Sequence, residues 1–338
     1  MENDKNIKDF DVVLSSRVRI SRNIASTKFP NILTKKEKLN VTNKIKESIK
    51  DDDFRLIYMS NLTKNEIFSF VEKNLISKEF ANKEDGALIV NSDFSQVTMI
   101  NEDDHLKIQA FKKGFNLDET YEDVSKFADM VNNTLEFSIS DKYGYLTACP
   151  TNVGTALKAS VMLHLPGLEK LGLLSNILEQ ASSIGLCVHG IYGEEFKSIG
   201  NMYIVSNQKT LGISEKEIIN SLKAVISVII EQERKAREIL LKDGACFEDE
   251  IWRSYGIIKY SRVISFEEAI KLLSNIRLGI SLKIIDDISL IKIAKIRINV
   301  EPYVLANMYG SEFSQEKEDE IRSEYIRKEI ENDVWVYW

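Results

Sequence analysis

Alternating hydrophobic and polar positions predict several β-strands in the first two thirds of the chain. Residues 11–20, DVVLSSRVRI, alternate as a half-buried strand does. Residues 83–104, KEDGALIVNSDFSQVTMINEDD, read as two strands joined by a polar turn, which predicts a hairpin. Two further stretches have the character of strands, GLCVHGIYGEE at 185–195 and GNMYIVSNQ at 200–208. These strands predict a mixed or antiparallel sheet.

Between and after these strands the pattern changes to helical spacing. We expect a helix over Tyr121–Leu135 and, after a strand at 143–149 and a loop, a helical run over Ala156–Leu165.

A long helix is predicted from Ser214, because Ser214 and Glu217 form a capping box before an apolar stripe. This helix is expected to end near Gly244. Beyond it the chain is helical and poor in glycine, with a second capping box predicted at 265–268.

Length and composition fit two domains. The chain has 338 residues and is 43% hydrophobic, which is enough to bury a sizeable core. We place a boundary near residue 245, so that an α/β (α+β) sheet domain over 1–245 precedes a helical domain over 246–338.

Charge and cysteine usage narrow the class of protein. A formal net charge of −7 argues against nucleic acid or a membrane surface as a direct partner. The N-terminal MENDKNIKDF lacks the apolar segment of a signal peptide, and no apolar run is long enough to span a membrane. Cys149, Cys187 and Cys246 have no CxxC spacing, so we expect neither a disulfide framework nor a structural zinc site, and a cytoplasmic location.

Four segments combine residue types suited to phosphoryl transfer: SSRVRISR at 15–22, NEDDHLK at 101–107, CPTNVGTALKAS at 149–160 and HGIYGEE at 189–195. In-line transfer from a nucleoside triphosphate is catalysed chiefly by positioning and by neutralising its charge. Arg17 and Arg19 are two residues apart, so on a strand both point to one face and can grip one phosphate chain. The alternative is a solvated strand face with surface ion pairs.

Together these segments resemble the guanidino (phosphagen) kinase family, and in particular its bacterial protein arginine kinase branch. FVEKNLIS at 70–77, ASVMLHLPGL at 159–168 and RSYGI at 253–257 extend the resemblance over most of the chain. The resemblance implies a catalytic domain with a largely antiparallel sheet flanked by helices, followed by a helical domain for dimerisation or regulation. It also implies transfer of the γ-phosphoryl group of ATP to arginine, with Mg²⁺ held mainly through the phosphates and no metal site made by the protein itself.

The resemblance also implies roles for carboxylates. A guanidinium is a poor nucleophile until carboxylates orient it and accept a proton. The family's glutamate base corresponds to Asp103, which is one methylene shorter, with Glu102 beside it, and the second guanidinium clamp corresponds to Glu194. The alternative for NEDDHLK is a surface acidic turn capped by Asn101.

Cys149 corresponds to the family cysteine whose thiolate lies against the substrate guanidinium. Pro150 and Gly154 are expected to shape a strand-to-helix turn, and the N–H groups that open this helix would favour an anion. A lone cysteine is otherwise an inert buried thiol, which is our interpretation of Cys187 and Cys246. The resemblance places the nucleotide against a larger set of residues: Ser16, Arg17, Val18, Arg19, Ile20, Asn74, Lys107, Lys158, Ala159, Ser160, Val161, Met162, His189, Gly190, Ile191, Tyr192 and Gly193.

Several of these positions depart from the family pattern. The family holds its nucleotide with five arginines, three of which correspond to Lys107, Lys158 and His189 here. Lysine lacks the bidentate fork of arginine, and an unperturbed histidine is mostly neutral at pH 7. Asn74 stands where the family has a nucleotide-contacting histidine. These changes predict weakened or altered catalysis.

The C-terminal domain of the arginine kinase branch carries an Arg-Asp-x-x-Arg-Ala motif that forms an allosteric phosphoarginine pocket. The matching residues here are EDEIRS, Glu318 to Ser323. Since Glu318 replaces the first arginine and would repel a phosphate, we expect this regulation to be lost.

Two hypotheses for function remain. Small-molecule guanidino kinases have a helical domain before the sheet domain, and the segment before Asp11 is too short for one, so we expect an open site suited to arginine on a protein surface. The first hypothesis is a dimeric protein arginine kinase of the stress response. Its products would mark proteins for Clp-type degradation, and its partners would include a zinc-binding activator protein and a heat-shock repressor. The second is a catalytically weak or inactive family member that acts as a partner-binding module.

Overall fold

The structure is a computed structural model that describes residues 6–191 and 198–331. Within these residues the strands are β1 Val13–Arg22, β2 Arg55–Tyr58, β3 Ala87–Val90, β4 Gln96–Ile100, β5 Leu106–Lys113, β6 Ile139–Ser140, β7 Gly144–Tyr145, β8 Leu157–His164, β9 Leu186–Gly190 and β10 Met202–Asn207. The helices are α1 Lys35–Ser48, α2 Lys64–Glu72, α3 Leu117–Asn132, α4 Pro166–Lys170, α5 Leu174–Ser183, α6 Glu215–Leu241, α7 Ala245–Tyr260, α8 Phe266–Ser281, α9 Leu290–Asn299, α10 Pro302–Tyr309 and α11 Gln315–Glu331.

Eight of these strands form one sheet in the order β2-β3-β4-β5-β1-β8-β10-β9, and each neighbouring pair is antiparallel. Strand β1 is central, with Arg17 opposite Phe111 of β5 and Ser160 of β8. The predicted antiparallel sheet flanked by helices is confirmed, and the hairpin expected over 83–104 is formed by β3 and β4.

The two faces of the sheet have different environments. On one face, Val18 of β1 packs in a hydrophobic core with Val124 of α3 and Leu222 of α6. Because successive side chains of a strand alternate between faces, Arg17 and Arg19 point to the other face. Their side chains are only partly buried.

Helices α7 to α11, which we call the C-terminal helices, bury a second hydrophobic core. This core includes Ile258 of α7, Ile270 of α8 and Ile296 of α9. It also includes Leu14 of β1 and Met202 of β10. The C-terminal helices therefore pack directly against the sheet.

The helix predicted over Ala156–Leu165 is wrong, because this segment is strand β8. Its side chains alternate: Ala159 and Val161 are fully buried, whereas Lys158 and Met162 are only partly buried. The strand predicted over 143–149 is also wrong, except at the two residues of β7.

The long helix begins as predicted. Ser214 Oγ accepts a hydrogen bond from Glu217 N at 3.2 Å, and Glu217 Oε2 accepts one from Ser214 N at 2.8 Å. At the second predicted capping box, Ser265 Oγ accepts a hydrogen bond from Glu268 N at 3.3 Å. Helix α6 ends at Leu241, and the domain boundary predicted near residue 245 coincides with the start of α7.

Candidate active site

Basic side chains from three strands share the face of the sheet that the N-terminal core does not cover. Arg19 of β1 lies opposite Lys158 of β8, and Arg17 Nε donates a hydrogen bond to Ser160 Oγ at 3.3 Å. On the far side of β10, His189 of β9 lies on the same face of the sheet, in the row of Ser15, two residues from the row of Arg17. We call Arg17, Arg19, Lys158 and His189 the cationic face.

Burial lowers the pKa of each basic group of the cationic face, and for three of the four a neighbouring cation adds to this shift. Burial and the neighbouring Arg19 lower the pKa of Arg17 to about 9, so the guanidinium stays charged at pH 7. Burial lowers the pKa of Lys158; nearby Cys187 opposes this shift, and Arg19 and Arg17 add to it. Burial, Lys158 and Arg17 lower the pKa of His189, which favours its neutral form at pH 7. A bound anion would relieve this repulsion, since an opposite charge stabilises each protonated group.

Glu102 and Lys107 form a buried ion pair beside the cationic face. Their side chains are 2% and 8% exposed, and Lys107 Nζ contacts Glu102 Oε2. Glu102 also accepts hydrogen bonds from Ser77 Oγ at 2.7 Å and from Asp103 N at 3.0 Å. Burial alone would raise the pKa of Glu102, but Lys107 and these hydrogen bonds hold it below its ordinary value. The charges of these two predicted site residues therefore neutralise each other.

Asp103 has a different environment from its neighbour. Its side chain is 57% exposed and lies 3.8 Å from Lys83 Nζ and 3.9 Å from Lys107 Nζ. Burial lowers the pKa of Arg19, and the charges of Glu102 and Asp103 act in the opposite direction, so the carboxylate lies close to the cationic face. An exposed carboxylate with only long ion pairs is accessible to the guanidinium of a substrate.

Asp104 is a functional candidate that our reading of the sequence missed. It is fully buried and accepts hydrogen bonds from Asn23 Nδ2 at 2.6 Å and from Ala148 N at 2.7 Å. It thereby joins the loop that carries Asp103 to the residue before Cys149. Only its place in the run of acidic residues from 102 to 104 could have indicated this role.

Cys149 lies half-buried at the end of this connection. The prediction that the other two cysteines are buried is wrong, because Cys187 is half-buried and Cys246 is exposed. The Cys149 Sγ is 3.0 Å from Thr151 Oγ1, and the 3₁₀ turn Pro150–Asn152 follows Cys149. Since this turn leads into β8, the helix that was expected to favour an anion next to the thiol does not exist. Gly154 has φ +115°, and its α-carbon approaches the backbone of Thr210 so closely that a Cβ would lie 2.2 Å from Thr210 O.

A cavity of about 580 Å³ opens beside Arg17. Four residues of the predicted nucleotide set line it: Arg17, Asn74, Ser160 and Met162. Asn74 follows α2 and has φ +59°, a conformation that asparagine tolerates. The structure therefore brings these four together although they come from three separate segments.

Other members of the predicted set lie elsewhere. Ser16 Oγ is buried and donates a hydrogen bond to Gly114 O at 2.8 Å. Gly190 ends β9 beside His189, and Ile191 packs against the core of the C-terminal helices. The side chains of four more residues lie in the core on the opposite face: Val18, Ile20, Ala159 and Val161.

Three predicted site residues, Tyr192, Gly193 and Glu194, lie outside the described residues. Across residues 6–191 and 198–331, the side chains form no cluster of three or more His, Cys, Asp or Glu that could hold a metal ion. In the same part of the chain, none of the helices combines the length and apolar character needed to cross a membrane.

Comparison with known families agrees with this geometry. Residues 36–236 match the ATP:guanido phosphotransferase C-terminal catalytic domain, and residues 245–334 match the protein-arginine kinase McsB C-terminal domain. A protein-arginine kinase of Clostridium acetobutylicum is 39% identical over 97% of this chain and 98% of its own length. Another, of Halothermothrix orenii, is 41% identical over 95% of this chain and 93% of its own.

Solved structures support the fold. A lombricine kinase superposes with a TM-score of 0.59 at 22% identity and covers 69% of this chain and 70% of its own. The duplicated taurocyamine kinase of Schistosoma mansoni, with transition state analogue components bound, has a TM-score of 0.58 at 24% identity and covers 66% of this chain, which spans about a third of that chain.

The two family matches define the class of protein, a guanidino kinase. With the two family matches and the curated relatives, the chain belongs to the ATP:guanido phosphotransferase family, within its protein-arginine kinase branch. The prediction of a protein-arginine kinase is confirmed at this level, and ATP is the phosphoryl donor that the family uses.

Proposed function

We propose that the protein transfers the γ-phosphoryl group of ATP to arginine side chains exposed on other proteins. The cationic face next to an exposed carboxylate, Asp103, is the observation that carries this proposal. Phosphoryl transfer needs cations to neutralise the phosphates, and a guanidinium acceptor needs a carboxylate to orient it. The two requirements meet on this face of the sheet.

Each group has a distinct task in this proposal. Arg17, Arg19 and Lys158 bind the polyphosphate, and Mg²⁺ is held mainly through the phosphate oxygens. Asp103, together with Glu194, orients the acceptor guanidinium and takes its proton as the N–P bond forms. The Cys149 thiolate lies against the guanidinium and favours its charged form before transfer.

Glu102 and Lys107 act differently from what their place in the motif implies. Because they neutralise each other in a buried pair, we assign them to positioning the loop that carries Asp103. Lys107 then contributes little net charge to the nucleotide site.

An arginine on a protein surface suits the accessibility of the site. Asp103 is 57% exposed and His189 is exposed, so a large acceptor can approach both. By family resemblance, we propose that the phosphorylated proteins are degraded by a Clp-type protease in the stress response. A zinc-binding activator protein and a heat-shock repressor are the proposed partners, and the cytoplasm is the proposed location.

We also propose two domains, a catalytic domain over 1–245 and a C-terminal helical domain over 246–338, and a homodimer formed through the second. Exposed apolar side chains on and after α7 support this surface: Trp252, Ile257, Tyr260 and Val263. Light scattering at micromolar concentration measures the oligomeric state, and a monomer contradicts the dimer.

A catalytically weak member of the family is the second candidate. It is favoured by the pairing of Lys107 with Glu102 and by the lowered pKa of His189. Both leave the site with fewer charges for the phosphates at pH 7. A rise in melting temperature with ATP, without any phosphoarginine product, would favour this candidate.

Mass spectrometry under non-acidic conditions tests the first proposal directly. The protein is incubated with ATP, an arginine-rich acceptor and the proposed activator, and acid-labile phosphoarginine is measured. We expect product from the wild type and from Arg253→Ala, whose side chain is 75% exposed on α7. We expect none from Arg17→Ala. Equal product from both variants contradicts the proposed phosphate site.

A further inference from the structure

The C-terminal helices supply one wall of the cavity beside the cationic face. Ile291, Ala294 and Ile298 of α9 line it, and all three are half-buried. Their spacing of three and four residues places them on one side of the helix. Helix α9 therefore presents an apolar strip to the sheet across the cavity.

The opposite wall is also apolar and comes from the N-terminal part of the chain. Phe94, Phe111, Met162 and Ile204 line it. Aromatic and aliphatic walls that face each other suit a flat, apolar group, because such groups stack on aromatic faces and bury apolar area. The volume of about 580 Å³ is within the range of small-molecule sites.

Arg17 and Ser160 line the same cavity and also belong to the row of side chains on the cationic face. A ligand that reaches from the cationic face into the cavity thus needs an anionic end and a flat apolar end. A nucleotide has this construction, with its polyphosphate at one end and its base at the other.

We propose that α9 forms the outer wall of the pocket for the base of the nucleotide, so that the base lies between the sheet and the C-terminal helices. This proposal rests on the proposed function, in which the cationic face binds the phosphates. The ATP:guanido phosphotransferase match ends at residue 236, so α9 lies outside it and within the C-terminal match. The base is therefore held in part by residues that the catalytic-domain match does not include.

A second contact holds the C-terminal helices next to this pocket. The Glu72 carboxylate, at the end of α2, accepts hydrogen bonds from Tyr303 N at 3.1 Å and Val304 N at 2.9 Å in the first turn of α10. The ring of Phe68 stacks on Tyr303 with centroids 4.8 Å apart. Asn74, two residues after Glu72, lines the cavity. The segment that contributes Asn74 is thus attached to the C-terminal helices, and binding of the base is linked to their position.

Two ligands separate the base from the phosphates: ADP, and inorganic tripolyphosphate, which has no base. Ala294→Trp extends a large side chain from α9 into the cavity. We expect titration calorimetry to show ADP affinity at least about tenfold weaker, a loss of about 1.4 kcal/mol, because the indole occupies the space of the base, with tripolyphosphate affinity unchanged. Lys271→Trp is the control, because the Lys271 side chain is 60% exposed on α8 and does not line the cavity, and it should change neither affinity.

Ile298→Ala is a milder variant for the case in which Ala294→Trp fails to fold. It removes apolar contact with the base, and we expect ADP affinity to fall about threefold or more. In the wild type, ADP should slow hydrogen exchange of the amides of α9, and tripolyphosphate should slow it less.

Different results contradict the phosphate site and the base pocket. If the wild type binds neither ligand, or if Arg17→Ala changes neither affinity, the phosphate site fails and the base pocket fails with it. If the wild type binds both ligands and Ile298→Ala leaves ADP affinity unchanged, α9 is not the wall of the base pocket and the phosphate site stands. An equal loss of ADP and tripolyphosphate affinity in both α9 variants also overturns the base pocket.

Discussion

At the scale of single residues, the adjacent carboxylates of Glu102 and Asp103 differ in burial and in ion pairing, although both belong to one acidic run of the sequence. Glu102 is buried in an ion pair with Lys107, whereas Asp103 is 57% exposed with only long ion pairs. A charge that loses its partner in a buried position costs several kcal/mol, whereas an exposed ion pair contributes little. Substitution of Glu102 should therefore affect stability more strongly than substitution of Asp103 does.

Glu102→Gln should destabilise the protein and Asp103→Asn should not. The first change leaves the buried Lys107 ammonium with only its 3.9 Å pair to the exposed Asp103 carboxylate, which costs about 3 kcal/mol. The second removes exposed pairs worth less than about 1 kcal/mol, but it should abolish phosphoarginine formation because the proton acceptor is gone. Urea unfolding and product analysis of both variants are the measurements. Equal stability of the two variants contradicts the structural role of Glu102.

His189 is the second residue whose behaviour follows from its surroundings. Without an anion, burial, Lys158 and Arg17 lower its pKa, so the imidazole is mostly neutral at pH 7. Bound phosphate favours the charged form and raises this pKa. Protonation and nucleotide binding then favour each other, and affinity rises as the pH falls through the pKa of the bound state.

ADP should therefore bind the wild type more tightly at pH 6 than at pH 8. The terminal phosphate of ADP also titrates in this range, so His189→Arg serves as the reference, since arginine keeps its charge throughout. We expect the arginine variant to bind more tightly at pH 8 and to depend less on pH. Calorimetry at both pH values measures this, and parallel profiles would show that His189 does not contact the nucleotide.

At the scale of elements, β8 shows what the sequence could and could not predict. Its residues include Leu157, Ala159 and Leu163, types that favour helices, so local preference does not indicate the strand that forms here. In the structure, β1 and β10 lie on either side of β8 and pair with its backbone, so tertiary hydrogen bonding overrides the local preference. Strand β1 was predictable because its alternation contains polar residues on one face.

The loop between Cys149 and β8 packs closely against Thr210. The single O–H of Thr210 is shared between two carbonyl oxygens, with Oγ1 3.0 Å from Thr151 O and 2.9 Å from Val153 O. Gly154 lies against Thr210, where a Cβ would meet its carbonyl oxygen. The sequence contains this glycine, but the contact with residue 210 exists only in the fold.

Gly154→Ala should displace this loop and destabilise the protein by about 2 to 4 kcal/mol, because strain at φ +115° adds to a direct clash. Gly172→Ala is the control, since Gly172 also has a positive φ, +69°, but a Cβ there meets nothing within 4 Å. Its cost should be about 1 kcal/mol. Denaturant unfolding compares the two, and equal losses would show that the contact with Thr210 is not tight.

At the scale of the whole molecule, the predictable features are those that repeat locally. The antiparallel sheet, the long helix from Ser214 and the helical C-terminal part each leave a periodic pattern in the sequence. The cavity leaves none, because Phe94 and Ala294 line it together although 200 residues separate them in the chain. Such a contact depends on how the C-terminal helices pack against the sheet.

The packing of the C-terminal helices also determines the burial and the contacts of Arg322 on α11. Its side chain is fully buried, and its guanidinium contacts the carboxylate of Glu318 and lies 2.5 Å from Asp319 Oδ1. It also donates hydrogen bonds to Val300 O at 3.0 Å and Ile264 O at 3.2 Å. Glu318 therefore does more than repel a phosphate: it neutralises the arginine that would bind one.

The C-terminal helices should consequently not bind phosphoarginine. The measurement is the melting temperature of Arg17→Ala with and without millimolar phosphoarginine, since this background weakens binding at the proposed active site. We expect no shift. Adding Glu318→Ala should lower stability by about 2 kcal/mol, because a buried guanidinium loses a charged partner. Phosphoarginine should then raise the melting temperature of the double variant, since its phosphate can pair with Arg322. A shift of the same size while Glu318 is present would mean that phosphoarginine displaces this carboxylate and that the pocket still functions.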